Sequence, residues 1–232
     1  MNQLCETQTD AQRLISKHVS AYPLWVSGEI HVTRWERLVE KFSHLYETDI
    51  TPSARQWRKR RGQCSAHLVA APLPGEKLRW VLLVTEHGAG PVKDSEKLRD
   101  ARSDRLVWGD YVLIRTTKSS AFGGGIHWSW FLTSNAERRE TSFLTTLAQS
   151  AGIARQPQRL TAFTDTLMQR PLHAGVRRQV AKMMRRAQKV WLRHSGGLPW
   201  PGPDPANLPH VGSFRSVGGR RQEQIKGESR SV

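Results

Sequence analysis

The chain has 232 residues, 38% of them apolar and nine of them tryptophan, enough for one domain with a proper core, or one domain plus an appendage, and too much for wholesale disorder. Its formal charge is +16 and its pI near 10.8, an imbalance that repels itself in a compact state and makes sense when the partner is a polyanion. Cys5 and Cys64 are the only cysteines, which excludes a cysteine-rich zinc module; the first residues form no leader, and no apolar run approaches the roughly 20 residues of a membrane span, so the expectation is a cytoplasmic protein.

In chain order, Thr9-Asp10-Ala11-Gln12 and Thr33-Arg34-Trp35-Glu36 read as capping boxes, in which side chains satisfy the first free N–H groups of a helix. After Thr33 the residues Trp35, Leu38, Val39, Phe42, Leu45 and Tyr46 recur at helical spacing and predict a core-facing helix to about Glu47. Thr51-Pro52 is an N-cap with proline at the first helical position, opening a short basic helix or arm that Gly62 stops. Ser65–Ala71 reads as a strand followed by the turn Pro72-Leu73-Pro74-Gly75. The nearly continuous apolar run Leu78–Thr85 reads as a strand buried on both faces. A glycine loop at Gly88–Pro91 leads into an expected helix at about Asp94–Ser103. Leu106–Thr116 and Ile126–Thr133 are expected strands joined by the loop Thr117–Gly125, and Ser134 opens a helix to about Ser150. Helices over Arg159–Gln169 and His173–His194 follow, separated at Pro171. From Ser195 onward Gly, Pro, Ser and Arg predict a disordered basic tail.

This order predicts an α+β fold: a mainly antiparallel sheet of about four strands with helices packed on one face, plus C-terminal helices and the tail. The expected division is a core domain at residues 1–154, a strongly basic helical segment at 155–194 and the tail at 195–232. Charge supports the division, because residues 155–232 carry 15 Lys+Arg against 4 Asp+Glu, a net of +11. Residues 1–154 carry 21 against 16, and Arg55, Arg58, Lys59, Arg60 and Arg61 account for that whole excess of +5.

The sharpest feature is the helix His173–His194. At about 100° per residue, Val176, Val180, Met183, Met184, Ala187, Val190 and Trp191 fall on one side. Arg178, Lys182, Arg185, Arg186, Lys189 and Arg193 fall opposite, with Arg177 at the flank and no acidic residue in between. An apolar face on the domain and a cationic face along phosphates is the leading reading. A solvated charged face, a membrane-surface helix or a helix docked in a groove are the alternatives. The second basic device, Arg55-Gln56-Trp57-Arg58-Lys59-Arg60-Arg61, offers guanidinium forks to phosphate and Trp57 to an unpaired base, or is simply a solvated loop with Trp57 in the core. Lys118 and Phe122, in the loop 117–125, could reach a nucleic acid, although a plain connector is the simpler reading. Trp191 and Trp200 are further stacking candidates, whereas Trp35, Trp80, Trp128 and Trp130 lie on expected core faces.

Catalytic patterns are thin. Glu86-His87, Glu29 with His31, and Asp110 with His127 have no recognisable spacing for a metal-dependent nuclease or a histidine acid–base pair. Gly88-Ala89-Gly90 lacks both the G-K-[ST] of a phosphate loop and the G-x-G-x-x-G spacing. No metal, cofactor or catalytic residue is therefore assigned. The expected function is backbone or single-strand binding of DNA or RNA by an accessory protein, with protein partners in a nucleoprotein complex. A nucleic-acid-processing enzyme and a partner-dependent assembly subunit are the alternatives.

Overall fold

The apolar run at residues 78–85 becomes strand β4 (Lys77–Val84), which lies in the middle of a five-stranded sheet. The computed structural model describes residues 2–117 and 123–210. These divide into two compact units, with the boundary between Ala136 and Glu137. The class is α+β, with seven α-helices and two sheets among the described residues.

In the first unit the order is β1 (Asn2–Leu4), α1 (Gln8–His18), β2 (Leu24–His31), α2 (Trp35–Tyr46), α3 (Pro52–Arg60), β3 (Ala66–Leu73), β4, α4 (Pro91–Ser95), β5 (Arg99–Asp100), β6 (Val107–Trp108), β7 (Tyr111–Thr117) and β8 (Ile126–Leu132). The larger sheet runs β1-β3-β4-β2-β5, with β1 parallel to β3 and the other pairs antiparallel. The smaller is the antiparallel meander β6-β7-β8. Two sheets thus stand where one of about four strands was expected.

Both faces of the larger sheet are covered, rather than one. Ala66, Leu68, Leu82 and Val84 pack with Phe42 and Tyr46 of α2. On β3 the intervening His67 points the other way, as strand alternation requires, and stacks on His18 of α1 with ring centroids 4.4 Å apart. Val69, Val81 and Leu83 are fully buried as well, which explains why β4 is apolar without a break from Trp80 to Val84. At about 25 cal/mol per Å² of apolar surface, this double-sided burial is the main stabilising term of the unit.

Strand β2 was not legible because Gly28 interrupts its alternation of Leu24, Val26 and Ile30. Gly28 sits opposite Trp80, and a Cβ there would lie 2.8 Å from the indole, so the glycine is the space the ring occupies. The helix expected at 94–103 shrinks to the five residues of α4, followed by β5. Asp100 binds the backbone N–H of Arg102 at 2.8 Å and its guanidinium at 2.6 Å, a local alternative to helical bonding. The strand expected over 106–116 folds instead into a hairpin. Val107 pairs with Val112 and Trp108 with Tyr111, leaving Gly109-Asp110 as a two-residue turn whose first residue has φ 63°.

Two caps also move. Thr7, not Thr9, accepts the Asp10 N–H at 3.1 Å to open α1. Before α2, His31 Nδ1 accepts from the Thr33 N–H at 3.4 Å, and a turn of 3₁₀ helix (Val32–Arg34) precedes the α-helix. Thr51 caps α3 as expected, its hydroxyl accepting the Ala54 N–H at 3.2 Å.

The second unit contains most of α5 (Ser134–Ile153), then α6 (Pro157–Met168) and α7 (Ala174–His194). The division falls between Ala136 and Glu137, not after residue 154, because α5 packs with α6 and α7. Phe143 meets Phe163 at 4.7 Å, Arg170 pairs with Glu140 at 2.5 Å, and Gln179 donates to Glu137 at 2.8 Å. Residues 195–210 are not the start of a disordered tail. Trp191 Nε1 donates to the carbonyls of Leu198 and Pro199 at 3.1 and 2.9 Å, Thr161 donates to that of Pro201 at 3.4 Å, and Leu208 is buried. The arginines expected in a basic tail all lie beyond residue 210, outside the described residues.

Candidate nucleic-acid interface

Helix α7 begins at His173, in an extended conformation, and runs for 21 residues with no proline, acidic residue or internal β-branched run to interrupt it. Its apolar stripe is buried: Val176, Val180, Met184, Ala187 and Trp191 are 0% exposed and Met183 is 2% exposed, with Val190 half-buried. Burying such side chains contributes about 1.5–3 kcal/mol for each large residue, so the rotational setting of the helix is strongly held. That setting turns Arg178, Lys182, Arg185, Arg186, Lys189 and Arg193 outward, all exposed, with Arg177 half-buried at the flank. Among the described residues Lys182, Arg185, Arg186, Lys189 and Arg193 form no ion pair. From Arg178 to Arg193 the row is about 22 Å long, over which one strand of a duplex presents roughly six phosphates.

Helix α3 belongs to the first unit and uses its charge differently. Arg58 is turned inward, pairing with Glu47 and donating to the Cys64 carbonyl at 3.4 Å, with its side chain 12% exposed. Arg55 has two guanidinium nitrogens buried, and its charge lies near His18. These two arginines are structural groups before they are phosphate ligands. Lys59, Arg60 and Arg61 remain exposed. Trp57 is 52% exposed, not anchored in the core, and the Arg61 guanidinium stands 3.9 Å from its ring centroid. One face of that indole is therefore already covered. Lys118 and Phe122 lie outside the described residues.

Of the other tryptophans named as stacking candidates, Trp191 is fully buried and holds the chain at 198–199, so it is a core residue. Trp200 is half-buried, its indole N–H given to the Pro203 carbonyl at 3.0 Å. Trp25, Trp108 and Trp130 are core residues too.

The sequence pairs considered for catalysis are engaged elsewhere. Glu86 binds the Arg102 guanidinium at 2.6 Å, a contact that holds its carboxyl below the usual range. Glu29 binds Arg79 at 2.5 Å, and His127 faces the Thr116 hydroxyl across the β7–β8 pair at 3.1 Å. The Gly88–Gly90 turn is closed by Lys93, whose ammonium donates to the Glu86 and Gly88 carbonyls. Gly88 has φ 90° and its missing Cβ would lie 2.5 Å from the Cys64 nitrogen, so the turn is built for backbone packing. The structure does assemble one histidine pair that the sequence did not suggest, His18 with His67, beside Tyr22. His67 is 2% exposed, so only the half-buried His18 of the pair meets solvent. Among the described residues no group of three or more His, Cys, Asp or Glu could hold a metal ion. None of their helices is long and apolar enough to cross a membrane.

No protein-family model matches the chain, and no curated protein or solved structure is significantly similar to it. The reading of the interface rests on its geometry alone.

One wall beside α7 escaped the sequence reading. Thr141, Ser142, Thr145 and Thr146 of α5 line a groove with Lys182, Met183 and Arg186 of α7. Their spacing, two hydroxyl rows at i and i+4, was visible in the sequence. What they face was not.

Proposed function

We propose that the chain is a cytoplasmic nucleic-acid-binding protein that grips the phosphate backbone of DNA or RNA with the outer face of α7, as an accessory protein or as a subunit of a nucleoprotein complex. The observation that carries this reading is the exposed row Lys182, Arg185, Arg186, Lys189 and Arg193, without an ion pair among the described residues, on a helix whose opposite side is buried apart from half-buried Val190. A solvated structural face ordinarily mixes signs so that i,i+4 pairs offset repulsion. Here five cations within twelve residues form no ion pair among the described residues, and an external anion would offset their mutual repulsion. The buried stripe argues against two rival uses of the same helix. A membrane-surface helix needs its apolar side free to enter the headgroup region. An assembly helix would leave that side exposed as a large apolar patch. Neither condition is met, since the stripe is buried.

Contacts of this kind position a protein on a strand and carry no base information. Lys59, Arg60 and Arg61 of α3 would add a second, smaller contact of the same chemistry. The test is salt. Anisotropy with labelled single- and double-stranded DNA and RNA should show affinity falling on the order of 10²- to 10³-fold between 50 and 200 mM salt, for about six phosphate contacts. A flat response overturns the reading. Truncating the chain after Arg170 would remove buried Met183, Met184 and Trp191 along with the charge, so surface substitutions are the cleaner instrument.

A further inference from the structure

The hydroxyl-lined groove between α5 and α7 is more than a seam between packed helices. Gln179 meets Glu137, and Gly152 lies against His194 with a Cβ position only 3.3 Å from that side chain. Both contacts share the same 42-residue offset, so the two helices run parallel and in register along the groove. Its volume is about 430 Å³, within the range of small-ligand sites, about 300–1,000 Å³. Its walls differ in chemistry. On the α7 side stand Lys182 and Arg186, one turn apart, both exposed and without an ion pair among the described residues. On the α5 side stand Ser142 and Thr146, also one turn apart and exposed. Thr145 spends its hydroxyl proton on the Thr141 carbonyl at 2.7 Å, whereas Ser142 and Thr146 make no side-chain hydrogen bond among the described residues. Met183 lies at the bottom of the groove, 2% exposed, and closes it with packed side chain. Glu137 closes one end, its carboxylate held by Gln179, so a bound anion is pushed toward Lys182 and Arg186.

We propose that this groove seats one phosphate group of a single-stranded nucleic acid, held between Lys182, Arg186 and the hydroxyls of Ser142 and Thr146. This rests on the proposed function and sharpens it. Lys182 and Arg186, with Arg138 also on the lining, and two neutral donors around one anion are the donor set of a phosphate ester. A paired duplex can lay phosphates along the outer row, but its stiff backbone cannot bend one of them into a recess between two helices. A flexible strand can. The recognised chemistry, a phosphate ester, is also that of a free nucleotide, and the experiment separates the two.

The full-length chain carrying Ser142→Ala and Thr146→Val keeps every charge and removes only the two hydroxyls. Its affinity is measured for a labelled oligothymidylate, for a duplex of the same length and for thymidine 5′-monophosphate, with circular dichroism to establish that the fold is kept. The expected result is a roughly tenfold loss for the single strand, a change of less than about twofold for the duplex, and a salt dependence unaltered in slope. Equal losses on both oligonucleotides, or none on either, overturn the groove while leaving the outer-face reading intact. Loss of all salt-dependent binding in Arg185→Gln/Lys189→Gln/Arg193→Gln, with the hydroxyl variant normal, has the same meaning. A wild-type chain that binds the mononucleotide but no oligonucleotide overturns the strand proposal and the proposed function together.

Discussion

Helices α3 and α7 are both arginine-rich, yet the fold spends their charge in different ways. On α3, five cations crowd into seven residues, and two of them turn inward: Arg58 to Glu47 and the Cys64 carbonyl, Arg55 into partial burial. A third, Arg61, lies on the ring of Trp57. On α7 the cations are spaced by three and four residues, so a single helical face collects them, and the buried stripe opposite keeps them outside. Charge density therefore does not measure availability. Spacing relative to the helical period does, because it decides whether one face can be wholly cationic while another is wholly apolar.

The largest effect expected from breaking this contrast is on α7 from the inside. Trp191→Ala removes a fully buried indole and its hydrogen bonds to residues 198 and 199, and should cost about 3–5 kcal/mol of stability, read by denaturant or thermal unfolding. A loss under about 1 kcal/mol would mean that the stripe does not set the helix. From the outside, Arg185→Gln, Arg186→Gln, Lys189→Gln and Arg193→Gln together should leave the unfolding transition nearly unchanged. They should lower nucleic-acid affinity by on the order of 10²-fold or more at low salt, and flatten the salt slope by about three. Retained affinity would move the interface elsewhere.

On α3 the two classes of arginine should separate. Arg58→Ala is expected to destabilise the first unit by roughly 1 kcal/mol, the half-exposed Glu47 limiting the loss. Arg60→Ala should leave stability within about 0.5 kcal/mol and reduce the salt slope by somewhat under one. If both substitutions act alike, the distinction between inward and outward arginines fails.

The smallest effect concerns acid. Burial, then the charges of Lys17 and Arg55, hold the His18 imidazole below its ordinary pKa of 6.5. The unfolded chain therefore takes up this proton at a higher pH than the folded one. The stability linked to His18 is fully present above about pH 6.5 and is lost as pH falls through the lower folded value. The melting temperature should drop modestly between pH 7.5 and 5, and less so in His18→Gln. An identical pH profile in that variant would remove His18 from the account.

Much of this molecule was legible before any tertiary contact was known, where one regular period ran without interruption. α7, α6, α2, α3 and the start of α5 stand within a few residues of their expected places, because 3.6-residue periodicity and the Thr51-Pro52 start signal are local properties. The unbroken apolar run of β4 was equally readable as a strand covered on both sides. What went unread depended on partners distant in sequence. β2 looks unlike a strand until Trp80 fills the space above Gly28. The stretch 94–103 has helical composition, yet Asp100 finds Arg102 and β5 finds β2. Gly109-Asp110 was a turn signal hidden inside an apolar run.

For the candidate site the boundary is similar. The sequence by itself determined which residues of α7 are cationic, which are apolar and that the two sets face apart, since that follows from helix geometry and residue identity. Only the tertiary structure decided that the apolar set is buried, that Arg58 is paired and Arg55 half-buried, and that the hydroxyl rows of α5 stand beside Lys182 and Arg186. The reason is physical. Periodicity places side chains around one axis, but availability depends on what a second element, far away in sequence, brings against them.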